Sequence, residues 1–257
     1  MLCRTGSGKL LIMSGETKKT CCTDRRWLGR ADCRRCHIRH MMLFSGLPES
    51  AFDDTLQPIN HLLTRPGGVL FDVTETDPAI FAIRRGLVKL QHTATDGAQR
   101  IVRLLGPGSA IGLELLDGAR RYRNTAIAVS EVDACRIPLS TARALQSKYP
   151  VLCAQVLRQL QDQLDLSDEW ITALSTGPAR ERVANLLLML VQFSTEANND
   201  IELLPGEDMA AIVGTTVETV SRVVASLKRR QLLHKVAEGL YRVDEKALHA
   251  ISREDAG

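Results

Sequence analysis

Residues 206–230 read GEDMAAIVGTTVETVSRVVASLKRR, and the organisation of the chain is read outward from them. Val220, Val223, Val224 and Leu227 recur at i, i+3, i+4 and i+7, one apolar stripe of an α-helix. Glu218, Ser221, Arg222, Ala225 and Arg229 repeat that spacing on a different face. Thr216 is placed to cap the helix, and Glu218 in its first turn suits the positive end of the dipole. Upstream, Met209, Ala210, Ile212 and Val213 make a short apolar patch. Ala210 is small enough for two helices to cross closely, and Gly214 can take the turn between them. The pattern predicts a helix-turn-helix whose recognition helix runs from Val217 to about Arg230.

The next stretch, residues 231–243, reads QLLHKVAEGLYRV and predicts a β-hairpin turning at Glu238-Gly239, a wing behind the recognition helix. Between residues 217 and 235, Arg222, Lys228, Arg229, Arg230 and Lys235 are opposed only by Glu218. Candidate DNA contacts are therefore Thr215, Thr216, Glu218, Ser221, Arg222, Lys228 and Arg229. Arg222 suits a bidentate contact to guanine, Glu218 the N4 amine of cytosine, and Ser221 a neighbouring base edge. Lys228 and Arg229 suit phosphates. An ordinary helical hairpin with a solvated polar face is the competing reading.

The chain has 257 residues, enough for one large or two medium domains, and 44% hydrophobic residues allow a real core. No apolar run reaches membrane-spanning length, and residues 10–13 are too short for a signal-peptide core, so a cytoplasmic location is expected. The net charge of +3 is unevenly spread. Residues 1–40 carry ten Lys/Arg against three Asp/Glu, residues 41–176 thirteen against fifteen, and residues 177–257 ten against twelve. Seven cysteines in such a chain argue against a disulfide framework. Cys21, Cys22, Cys33 and Cys36 lie in the first forty residues, which show little apolar periodicity and read as a mobile basic arm over residues 1–43.

Over residues 44–148 the punctuation changes to short β-type runs broken by glycine and proline, among them VLFDVTE, AIFAIRRG, NTAIAVS and VDACRIP. Many short strands with regular turns predict an antiparallel roll. No catalytic set and no phosphate-binding glycine loop is found there, so an enzyme is not expected. A helix over residues 149–174 follows, with Leu152, Val156, Leu160, Leu164, Ile171 and Leu174 as its apolar stripe. Such a connecting helix can pair with its own copy, and Val156, Leu160 and Leu164 are the expected seam. Gly177-Pro178 ends it, and residues 177–257 form the winged DNA-binding domain, beginning with a helix over residues 179–193 that buries Val183, Leu186, Leu187 and Leu190.

Roll, long helix and winged helix-turn-helix in this order resemble the Crp/Fnr family of transcription regulators, over nearly the whole chain after about residue 30. TVETVSR, residues 216–222, is similar to the recognition helix of the FNR branch, and LGPGSAIG, residues 105–112, resembles the family's turn before the effector pocket. ACRIP, residues 134–138, resembles the end of the FNR roll, where that branch places a cluster-binding cysteine at the position of Cys135. The resemblance implies an α+β protein with a cyclic-nucleotide-binding-like roll, a homodimer on TTGAT-like two-fold sites, RNA polymerase as a partner, and a response to oxygen, nitric oxide or redox state.

Two departures qualify it. Cyclic-AMP-binding members have glutamate after the pocket glycine and an Arg-Ser pair soon after, where this chain has Leu113, Tyr122 and Arg123; cyclic AMP is not the expected ligand. CRRCHIRHMMLFSGL, residues 33–47, resembles the cysteine-rich arm of FNR-like sensors, but Met42 or Phe44 stands where those carry a third arm cysteine. An iron–sulfur cluster on Cys33, Cys36 and Cys135 would then draw its fourth thiolate from Cys21 or Cys22. The two-residue spacing of Cys33 and Cys36 also fits zinc or a redox dithiol, and Cys135 also fits a small core residue. A cluster-free thiol or metal-binding sensor whose helix-turn-helix is only structural is the alternative.

Overall fold

The structure, a computed structural model, describes residues 25–33, 35–36, 38–48, 50–51, 59–194 and 200–252. The short apolar runs of the first half become β1 (Arg25–Arg30), β2 (Asn60–Thr64), β3 (Val69–Phe71), β4 (Ala79–Arg85), β5 (Val88–Thr93), β6 (Gln99–Leu105), β7 (Ala110–Ile111), β8 (Thr125–Ala128) and β9 (Val132–Pro138). All pair antiparallel, in two sheets ordered β1-β2-β9-β4-β7 and β3-β8-β5-β6. Leu62, Phe71, Phe81, Ile83, Val88 and Leu105 close the space inside the roll. β4 is apolar at consecutive positions because both its faces are covered. Phe81 and Ile83 point into the roll, while Ile80 and Ala82 pack in a second cluster outside it.

That second cluster corrects the expected arm. Residues 25–33 and 38–47 are built into the fold. β1 pairs with β2 along its length, and Ile38, Met42, Leu43, Phe44 and Leu47 are buried with Cys135, Ile137, Leu152 and Val156. The boundary drawn after residue 43 therefore cuts through one packed unit. β1 lacks apolar periodicity because it is an edge strand exposed on both faces, so no buried side marks its sequence. Cys21 and Cys22 lie outside the described residues.

After the roll come α1 (Leu139–Lys148) and α2 (Val151–Ser175). α2 lays Leu152, Val156, Gln163 and Leu174 against its own chain and leaves Leu157, Leu160, Leu164 and Ile171 exposed. The expected seam is corrected at Val156, which is only 8% exposed and belongs to the roll's outer cluster. Four residues advance about 400° round a helix, so the run 152, 156, 160, 164 drifts about 40° at each step. Its first half faces the roll and its second half faces solvent.

The C-terminal part is α3 (Ala179–Gln192), β10 (Asp200–Glu202), α4 (Gly206–Val213), α5 (Val217–Arg229), β11 (Leu233–Ala237), β12 (Leu240–Val243) and α6 (Glu245–Ser252). β10 adds a third strand to the expected hairpin, in the order β10-β12-β11. Val183, Leu186, Leu187 and Leu190 of α3 are buried as expected. The core of this domain also takes in Leu87 and Leu104 of the roll. Lys89 Nζ on β5 meets Asp208 Oδ1 on α4 at 2.6 Å, with both side chains largely buried. At the same joint Phe193 lies so close to Gly106 that a Cβ there would stand 2.6 Å from its ring.

Candidate nucleic-acid interface and thiol pocket

α4 and α5 meet at 105°, inside the range of helix-turn-helix pairs. Gly214 closes α4 in the left-handed conformation, φ 63° and ψ 48°, and its N–H returns to the Ala210 carbonyl. Thr216 then caps α5, its hydroxyl accepting from the Thr219 N–H at 3.3 Å. Val220, Val224 and Leu227 bury one side of α5, which turns Glu218, Ser221, Arg222, Ala225, Lys228 and Arg229 to solvent. Thr215 is half-buried at the turn and Thr216 is exposed. The predicted contact residues are thus brought onto one open surface.

Electrostatics within that surface are specific. Its own backbone N–H, then the Thr216 hydroxyl, hold the Glu218 carboxyl below its ordinary value, with a smaller push from Arg222 one turn on. Glu218 is therefore a fully exposed anion tied to the helix start. Lys228 differs from the expectation of a free phosphate contact: its Nζ donates to Tyr241 Oη at 2.9 Å and sits 4.2 Å from that ring's centre. The wing thereby fixes where Lys228 points, and the bond lowers the Tyr241 hydroxyl's pKa. Sequence reasoning passed over Tyr241; an aromatic residue on a short exposed wing strand was its only signal.

The second site lies on the outer face of the roll. Cys33, Cys36 and Cys135 wall a void of about 30 Å3 together with Arg39, Met42, Phe44 and Arg84. The three predicted cysteines are brought together from a loop and from the middle of β9. Burial pushes the Cys33 thiol up to about 11, helped by Cys36 and opposed by Arg84. Burial likewise pushes Cys135 up to about 12 against the Arg84 charge. Arg84 was not foreseen. It comes from β4, hydrogen-bonds Cys135, and holds its Nε 3.5 Å from Asp133 Oδ1, an oxygen also bonded by His61 Nε2. Among the described residues no group of three or more His, Cys, Asp or Glu is set to hold a metal ion.

A larger cavity, about 640 Å3, opens between the roll and α2, and Arg103, Glu114, Arg123, Leu157, Leu160 and Gln163 help to line it. Tyr122, which stands at one position where cyclic-AMP-binding members carry the Arg-Ser pair, is packed inside the roll. It is 4% exposed, its ring stacks on Phe71 with centroids 3.7 Å apart, and its hydroxyl bonds both the N–H and the carbonyl of Ala79. Glu114, missed from the sequence, puts a carboxylate in the wall one residue beyond Leu113. Arg123 also lies there, with its backbone N–H 3.5 Å from that carboxylate.

Residues 63–149 match the family model of the cyclic nucleotide-binding domain, and residues 181–251 that of the Crp-like helix-turn-helix domain. The cyclic AMP receptor protein of Thermus thermophilus is 30% identical over 207 residues, 80% of this chain and 94% of that protein. The transcriptional activator protein FnrL of Cereibacter sphaeroides is 27% identical over 77% of this chain and 82% of its own length. In fold, the chain is similar to FixK2 from Bradyrhizobium japonicum, with a TM-score of 0.64 and 20% identity over 74% of this chain and 96% of that one. No single helix among the described residues is long and apolar enough to cross a membrane.

Proposed function

The chain belongs to the Crp/Fnr family of DNA-binding transcription regulators, a family of regulators and not of enzymes, and from that premise we propose a homodimer that reads two-fold DNA sites with α5 and answers to redox state through its thiol pocket. The observation that carries the DNA half is the exposed face of Glu218, Ser221 and Arg222 on a helix whose other side is fully packed. A merely structural helix gains nothing from three such groups presented together. Arg222 reads guanine, Glu218 accepts from cytosine once its carboxylate swings off the helix start, and Ser221 touches the next base edge. Thr215 and Thr216 lie at the backbone end of this face, and Arg229, with Lys228 steered by Tyr241, reaches phosphates. The family resemblance supports TTGAT-like half-sites and RNA polymerase as the protein partner.

The dimer half rests on α2. Leu157, Leu160, Leu164 and Ile171 are separated by three, four and seven residues, a heptad seam left bare by the roll. Leu157 takes the place first given to Val156. A second copy would also lie over the mouth of the 640 Å3 cavity, since Leu157 and Leu160 line both. Cyclic AMP has no place in this reading, because Tyr122 is buried where the phosphate clamp would be.

For the signal, the described residues do not by themselves fit a four-iron cluster. Three thiols of the usual four line the pocket, and no group of three or more metal-ligating side chains among the described residues is set to hold a metal ion. The half-buried pair Cys33 and Cys36, three apart in sequence on one wall beside Arg84, supports thiol–disulfide chemistry instead. The test is a gel shift on a TTGAT palindrome and on a scrambled duplex over a range of salt. Preference for the palindrome by at least about a hundredfold, with binding that weakens as salt rises, is the expected result. Equal binding to both duplexes would leave only a nonspecific or structural helix-turn-helix.

A further inference from the structure

Residues 38–47 follow Cys33 and Cys36 in the chain, and they do two jobs at once. Their apolar side chains sit in the same cluster as Cys135, and they press on the first turns of α2. A Cβ at Gly46 would lie 3.2 Å from Gln155 Nε2 and 3.3 Å from Val151 Cγ2, so the loop seats on the helix without a side chain between them. Met41 and Met42 share a groove with Gln155, Arg158 and Asp162 of α2. Whatever moves the thiol loop therefore moves against the helix that bears the seam.

Resting on the thiol reading of the signal given above, we propose that Cys33 and Cys36 form a reversible disulfide by exchange with a low-molecular-weight disulfide, and that closing it lifts residues 38–47 off α2 and weakens DNA binding. The chemistry balances without any other reactant. Cys36, half-buried beside the void, gives up its proton and attacks one sulfur of the small disulfide, releasing one thiolate that takes up that proton. Cys33 then loses its proton and attacks the Cys36 sulfur, and the second small thiol leaves with it. Two cysteine thiols are oxidised and one disulfide is reduced to two thiols. Arg84, steadied by Asp133, is the positioning residue that faces the charge developing on Cys33. Cys135 stays reduced, being buried in the middle of the sheet.

Cys33 and Cys36 share a wall with Met42 and Phe44, so joining the two sulfurs pulls on the segment that also presses on α2. The test uses the full chain treated with oxidised glutathione or with dithiothreitol. Peptide mapping should find the Cys33–Cys36 link, and hydrogen exchange should rise over residues 38–47 and the first turns of α2. Affinity for the palindrome should fall at least tenfold on oxidation and return on reduction. Cys33→Ser and Cys36→Ser should each bind DNA equally under both conditions, whereas Cys153→Ser should keep the response. A Cys33–Cys135 link, a mixed glutathione disulfide that persists, or a mapped Cys33–Cys36 link with no change in exchange or affinity would each overturn the proposal. So would about four irons per chain after anaerobic purification. A reduced protein that binds no duplex defeats the regulator reading instead, and the exchange measurement still judges the switch.

Discussion

The reading face of α5 and the pocket of Cys33, Cys36 and Cys135 handle charge in opposite ways. On α5 every charged group stands in water, and the one shifted acid there, Glu218, is held as an anion by its own backbone N–H and the Thr216 hydroxyl at the helix start. In the pocket, desolvation keeps two thiols protonated, with Cys33 near 11 and Cys135 near 12. The first surface attracts a polyanion over a Debye length and yields to salt. The second is silent until something reaches it. A regulator needs both behaviours, one to find its site and one to stay inert between signals.

The largest expected effect tests the silence of the pocket. Burial moves Cys135 from 9.0 to about 12, so its alkylation by iodoacetamide at pH 8 should run about a thousandfold slower in the folded chain than in the urea-unfolded chain. The sign follows from the thiolate being the reactive form. Between pH 9 and 12 the folded rate should keep climbing, while the unfolded rate levels off near 9. Equal rates in the two states would mean the pocket opens freely, and the contrast with α5 would fail.

Next comes Leu160→Asp on the bare face of α2. It should yield monomers in sedimentation and cost about a hundredfold in affinity for a two-fold site, as the linked half-sites are lost. An intact dimer would remove α2 from the interface. Arg222→Ala sharpens the reading face itself: it should cost about 1–3 kcal/mol per half-site on the best duplex and relax preference at one base pair in each. Uniform weakening on all sequences would recast Arg222 as a phosphate contact. The smallest effect belongs to Lys228→Ala, which should lower the slope of log affinity against log salt by about 0.9 per subunit, about 1.8 for the dimer, without changing sequence preference. An unchanged slope would mean that Tyr241 holds Lys228 out of reach of the phosphates.

The recognition helix was legible because all its information is local. A cap at Thr216, an apolar stripe at 220, 224 and 227 and a turn at Gly214 lie within a dozen or so residues and obey one period. The thiol pocket was legible only as three letters. Nothing in the sequence near Cys135 says that Arg84 stands beside it, since the two strands are brought together by pairing across fifty residues of chain. Val156 and Leu157 show a finer limit. Both are apolar neighbours on one helix, and which of them faces the roll depends on a rotational phase that drift at four-residue spacing blurs. β1 carried no pattern at all, for an edge strand with both faces wet has nothing to alternate between.

The joint at Gly106 and Phe193 has a mechanical meaning. Pivots cushioned by flexible side chains absorb small displacements, whereas a ring resting directly on backbone passes them on. With Lys89 and Asp208 pinning a second point nearby, the tilt of the DNA-binding domain is geared to the roll at two places. A single methyl at the first of them, Gly106→Ala, would act as a shim. It would retune the angle at which α5 is offered to DNA while touching neither the thiols nor one side chain of the reading face.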